Sequence, residues 1–143
     1  MNKRMRAGLI AVAAVAVVLS CIPAESVVVP AWSVQVVDKD SRPVEGINVR
    51  QVWQDYSVES TSHEEMLVTP PDGRVSFPER KISTPRIMRV LGPVKNALAT
   101  GVHAGFGNSC WLIVWGKDGL EGHAIYTPGQ PLPASVTVKP RGL

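Results

Sequence analysis

Cysteine is scarce in this chain: Cys21 and Cys110 are the only two among 143 residues. At most one internal disulfide can form, which excludes a small scaffold stapled by several bridges. Net charge is missing from the body. Of the fifteen Lys and Arg residues, Lys3, Arg4 and Arg6 precede an apolar run, and the remaining twelve face twelve Asp and Glu. The pI of about 9.1 therefore describes the N-terminal end. A formally neutral body lacks the basic face that nucleic-acid binding requires, so no nucleic-acid partner is expected. Uninterrupted helical stretches are scarce too. All twelve Pro and eleven of the twelve Gly fall within residues 21–143 and punctuate that region throughout. Internal repeats and charge blocks are absent. Disorder is excluded in turn, because 45% of residues are apolar and only 19% charged.

Recognisable chemistry is equally sparse. The histidines are His63, His103 and His123. His63-Glu64-Glu65 lacks the second histidine, four residues on along a helix, that a zinc peptidase needs. Gly105-Phe106-Gly107 is a lone GxG that reads as a tight loop, and Ser109 has no nucleophile-elbow context. Cys110 precedes the apolar run Trp111–Trp115 and has neither a basic neighbour nor a companion histidine. It reads as a buried thiol. No catalytic, metal or cofactor residues are expected, and the chain is read as not an enzyme.

What is present begins with a leader. A basic segment is followed by thirteen apolar residues, Ala7–Leu19, then Ser20-Cys21. This length fits a secretory signal better than a permanent span, which needs about 20 residues. Val18-Leu19-Ser20-Cys21 resembles the lipobox of bacterial lipoproteins, with Leu19 a less usual second residue. The resemblance implies cleavage before Cys21, a lipid on its thiol, export, and anchoring in the bacterial cell envelope on the periplasmic or cell-surface side. The alternative is an ordinary signal peptide cleaved near Ala24, with Cys21 discarded. The organisation expected is a signal peptide over 1–20, a tether over 21–30 and one β-sandwich domain over 31–143.

In the body, Trp32, Val34 and Val36 alternate with Ser33, Gln35 and Val37, as in a half-buried strand. Asp38–Pro43 reads as a turn, and Ile47, Val49, Gln51 and Trp53 mark a strand over 46–54. Residues 55–65 are a loop or an edge strand. Met66–Val68 is a short strand, Asp72-Gly73 a turn, and 74–78 a strand. Residues 82–91 read as an edge strand because of Pro85. Residues 92–101 read as a short helix starting at a proline, or as a loop. Strands over 102–106, 110–116, 122–126 and 134–139 complete the chain. The run at 110–116 is apolar on both faces, which predicts a central strand covered on both sides, with Ile113 in the core. Seven or eight short strands separated by turns predict an all-β antiparallel sandwich.

Two stretches sharpen that expectation: Val37–Val49 (VDKDSRPVEGINV) and Thr69–Phe77 (TPPDGRVSF). In order, they resemble the carboxypeptidase regulatory-like, or transthyretin-like, Greek-key β-sandwich family. There a strand ends in an Asp turn, Pro-Val-x-Gly opens the next strand, and a Thr…Asp-Gly-x-aromatic block follows. Pro43, Val44, Gly46, Thr69, Asp72, Gly73 and Phe77 hold those places, while Ser41-Arg42 stands where a glycine usually precedes the proline. The resemblance covers about residues 31–78. It does not imply peptidase activity, which in such proteins resides in a separate, larger domain. The C-terminal Lys139–Leu143 also departs from the tyrosine-rich ending of the transthyretin-like hydrolases.

Four tryptophans (Trp32, Trp53, Trp111 and Trp115) are many for so small a body, and core packing accounts for them. The sharper reading is an open face on which Trp53, Tyr56 or Tyr126 stacks against a sugar or a peptide. Two functions remain: a structural or protein-interaction module tethered to the envelope, or a carbohydrate- or small-ligand-binding module. The partners expected are the membrane, through Cys21, and an unidentified envelope protein or glycan.

Overall fold

The structure, a computed structural model, describes residues 3–100, 105–116 and 119–141. His103 lies outside them, as does most of the strand expected over 102–106; Gly105 and Phe106 carry no strand.

The chain opens with helix α1 (Lys3–Cys21), exposed from Arg4 to Leu19 and at Cys21. Its window Arg4–Cys21 has a mean hydropathy of 1.8, long and apolar enough to cross a membrane. At about 1.5 Å per residue it spans close to the ~30 Å hydrocarbon core of a bilayer. The helix is compatible with a signal sequence or an anchor.

Ten strands follow: β1 (Pro23–Val29), β2 (Trp32–Val37), β3 (Asn48–Asp55), β4 (His63–Val68), β5 (Arg74–Phe77), β6 (Arg80–Pro85), β7 (Asn108–Trp115), β8 (Leu120–Tyr126), β9 (Ser135–Thr137) and β10 (Lys139–Pro140). A second helix, α2 (Met88–Thr100), separates β6 from β7. The strands form a five-stranded sheet (β10-β8-β7-β3-β4), a three-stranded sheet (β5-β2-β9) and a two-stranded sheet (β1-β6). This arrangement is consistent with a β-sandwich.

The core lies between the inner faces of the two larger sheets. Alternation along each strand decides which side chains enter it. Trp32, Val34 and Val36 of β2 and Val75 and Phe77 of β5 come from one sheet. Val49 of β3, Cys110, Leu112 and Val114 of β7 and Ala124 of β8 come from the other. The indole N–H of Trp32 donates to the Pro133 carbonyl at 2.8 Å, so this buried ring leaves no polar group unpaired.

The two motif blocks are joined by one side chain. The Thr69 hydroxyl donates to the Val44 carbonyl (2.7 Å) and accepts the Ile47 N–H (2.9 Å). The Thr69 carbonyl accepts the Gly46 N–H, and its own N–H reaches the Ile47 carbonyl. Thr69 is buried, so the 43–47 crossover is latched to the end of β4 out of water. The preceding turn closes on Asp38, whose carboxylate accepts the N–H groups of Asp40 and Arg42. The Arg42 N–H above all, with the Asp40 N–H, holds that carboxyl below the usual carboxylate range. Ser41 sits at φ 62°, in the region glycine favours. Gly73 adopts φ 67°, and a Cβ there would lie 2.7 Å from the Val36 carbonyl oxygen. Its own carbonyl accepts the Val36 N–H, so a side chain would push β5 off β2.

Several expectations are corrected. Residues 21–30, expected as a tether, contain β1, which pairs antiparallel with β6 (Pro23↔Pro85) and buries Val28 and Val29 in the core. The edge strand expected over 82–91 ends at Pro85, whose missing N–H stops the ladder. The helix considered for 92–101 starts earlier, at Met88, and holds Pro93 in its interior. The described residues form ten strands, not seven or eight, and β9 runs parallel to β2, so the sheets are not purely antiparallel.

Candidate functional site

Cys21 is the last residue of α1. Its thiol is exposed and forms no disulfide. Two residues later the chain enters β1 and is held against β6, so Cys21 sits beside the folded body rather than at the end of a loose leash. The Ile87 N–H donates to the Ser20 carbonyl at 3.0 Å, and the Arg89 guanidinium to the Ala24 carbonyl at 3.0 Å. The end of α1 and the start of α2 thus meet at one place.

The second feature is the outer face of the five-stranded sheet. Registers place Trp111, Ile113 and Trp115 of β7 beside Val52 and Arg50 of β3 and Ile125 and His123 of β8. Met66 and Val68 of β4 continue this face. Ile113 is 37% exposed, and Met66, Val68 and Ile125 are more exposed still. This corrects the expectation of a strand covered on both sides: β7 is central, yet only Cys110, Leu112 and Val114 are buried. Arg50 lies 5.4 Å from the Trp115 ring centre and 3.6 Å from Glu64. A cleft of about 770 Å³ opens here, between Arg50, Trp115, Glu121, His123 and Lys139.

Of the three stacking candidates, Trp53 and Tyr126 flank Cys110 on the inner face of the sheet, half-buried against the core, and Tyr56 lies apart from them against Trp111. Trp53 lies on the inner side of the sheet, next to Cys110 in register. The Arg80 guanidinium is 4.2 Å from its ring centre, and the His63 ring stacks on it at 5.6 Å. Arg80 also donates to the Gln51 side-chain amide oxygen Oε1 (2.8 Å) and pairs with Glu65. Tyr126, across β7, is half-buried against the core. Tyr56 follows β3 and meets Trp111 edge-on at 6.4 Å. The Asn96 amide of α2 donates to the carbonyls of Tyr56 (3.1 Å) and Gly105 (2.6 Å).

Among the described residues no three His, Cys, Asp or Glu groups converge in a way that would hold a metal ion. His63 instead pairs with Glu59 at 2.7 Å. Cys110 is buried. Desolvation pushes its thiol up to about 12, partly offset by Gln51 and Arg80. A thiol so shifted is a poor nucleophile at neutral pH.

The chain matches no family model, no curated protein and no solved structure.

What inspection of the sequence missed is the outward face of α2, where Val90, Val94 and Leu98 are exposed. Their spacing of four residues is legible as one helical face, but Gly92-Pro93 obscures the helix that carries it.

Proposed function

We propose that this protein is a non-catalytic envelope lipoprotein. In this reading a transthyretin-like or carboxypeptidase regulatory-like sandwich is held at a membrane through lipid on Cys21 and binds another envelope protein. The observation that carries the reading is the junction itself: an apolar helix of membrane-crossing length ends at an exposed cysteine, and the fold begins two residues later. The two larger sheets, β5-β2-β9 and β10-β8-β7-β3-β4, agree with the sandwich that the resemblance implies. So do the Thr69 latch between the two motif blocks and the left-handed backbone of Ser41 where a glycine is usual.

The open sheet face supports a protein partner. Its exposed apolar side chains, Met66, Val68, Ile113 and Ile125 beside Trp111 and Trp115, are interleaved with Arg50, Glu64, Glu121 and His123, a mixed apolar and charged face that a protein partner would cover. The carbohydrate reading has less support, because Tyr56 lies apart from Trp53 and Tyr126 and Trp53 already carries Arg80 and His63.

Cell fractionation tests the proposal. The wild type is expected in the membrane fraction in a shortened form. Cys21→Ser is expected to lose that form, because the leader is no longer exchanged for a lipid. A wild type that is soluble and begins at Glu25 refutes the lipoprotein reading.

A further inference from the structure

We propose that α2 lies on the surface of the bilayer that anchors this chain, with its apolar stripe inserted among the lipids and its basic residues on anionic headgroups. The inference rests on the tethered reading and adds a second membrane contact to it.

The first support is position. β1 and β6 pair from Pro23↔Pro85 onward, so the residues just after Cys21 lie beside those just before α2. The Arg89 guanidinium is bonded to the Ala24 carbonyl. Whether α1 stays in the membrane or a lipid on Cys21 replaces it, the first turn of α2 is held within a few residues of the membrane surface.

The second support is the face that α2 presents. Gly92 and Asn96 point at the body. A Cβ on Gly92 would run into the Ser57 carbonyl oxygen, and Asn96 is bonded to the Tyr56 and Gly105 carbonyls. At about 100° per residue, Val90, Val94 and Leu98 then point away, with Leu91 beside them. Val90 is 70% exposed and Leu98 83%. Phe106, just beyond the helix, is exposed as well. The helix has little intrinsic stability, because it contains Gly92 and Pro93. An interfacial bilayer site would cover the stripe that the body leaves bare.

The third support is charge. From Arg80 to Thr100 there are five basic residues and no acidic one. Arg80 is paired with Glu65 and Lys81 with Glu79. Arg86 and Lys95 remain, both exposed, while Arg89 is exposed but already bonded to the Ala24 carbonyl. Apolar residues flanked by cations fit an anionic lipid surface better than a neutral protein groove.

The test uses the full chain reconstituted into vesicles of phosphatidylethanolamine and phosphatidylglycerol. A photoreactive benzoylphenylalanine replaces either Leu98 or, as a control on the open sheet face, Ile125. Both positions are exposed, so neither replacement threatens folding. Lipid adducts are expected at Leu98 in at least tenfold excess over Ile125. Arg86→Glu combined with Lys95→Glu should lower the Leu98 yield several-fold; an unchanged yield overturns the choice of an anionic surface. A chain that floats with the vesicles but gives no lipid adduct at Leu98, or an adduct to a second copy instead, overturns this inference alone. A chain that does not float overturns it together with the tethered reading.

Discussion

Replacing Thr69 by Val keeps the shape of the side chain and removes the hydroxyl that joins the 43–47 crossover to β4. Two bonds vanish: the one donated to the Val44 carbonyl and the one accepted from the Ile47 N–H. The Ile47 N–H is buried and has no water to turn to. Leaving such a donor unpaired costs ~1–3 kcal/mol. Val44 is only half-buried, so its carbonyl regains part of its loss from solvent. The sum is about 2–3 kcal/mol, against a typical total of ~5–15 kcal/mol. With a urea m-value of ~2 kcal/mol per molar, the midpoint should fall by ~1 M or more at unchanged slope. Thr69→Ser keeps the hydroxyl and loses one methyl, worth ~0.8 kcal/mol, so it should fall clearly less. Urea melts followed by tryptophan fluorescence and by circular dichroism decide the matter, because Trp32 reports the same core. If the Val variant melts with or above the Ser variant, the latch contributes nothing, and the physical reason for pairing the two motif blocks is lost.

Other outcomes follow from burial and charge. Leu112→Ala should cost ~2–5 kcal/mol by opening a cavity, whereas Ile113→Ala, on the open face, should cost about 1 kcal/mol or less. Equal melting midpoints for that pair would contradict the assignment of faces. The buried Cys110 thiol has its pKa raised to about 12 from 9.0. Above pH 9 the unfolded chain therefore loses a proton that the folded chain keeps. The stability is complete below pH 9 and declines toward pH 12, and Cys110→Ala should flatten part of that decline in melts run against pH. Gly92→Ala should loosen α2 from the 55–60 loop, which amide hydrogen exchange along 88–98 would report as faster exchange with β7 unaffected.

Most of the sandwich is legible from local pattern. Alternation marks β2 and β3, and Asp38–Pro43 and Asp72-Gly73 mark the turns where a carboxylate or a glycine is structurally required. What escapes is non-local. β1 carries three consecutive valines after Pro23, so it shows no alternation, and its partner β6 lies more than fifty residues away. The parallel pairing of β9 with β2 likewise has no signature in either short segment. The run at 110–116 is apolar at every position, yet pattern alone does not say what covers each face; the outer one is left open. Pro93 is read naturally as a helix start. In the fold it lies in the helix interior, after a first turn closed by bonds to the Arg86 and Ile87 carbonyls. Of the candidate site residues, Cys21 is singled out by the leader before it, and the structure adds its exposure at the end of α1. The placing of Trp53 and Tyr126 either side of Cys110 depends on the pairing of β3 and β8 with β7, which no local pattern encodes.

Mass spectrometry of the mature N-terminal peptide, taken from the membrane fraction of cells making the wild-type chain, tests the central claim most directly. The account predicts a chain that begins at Cys21 with a diacylglyceryl group on its sulfur. An unmodified N-terminus at Glu25, or an intact leader with a free Cys21 thiol, would contradict it.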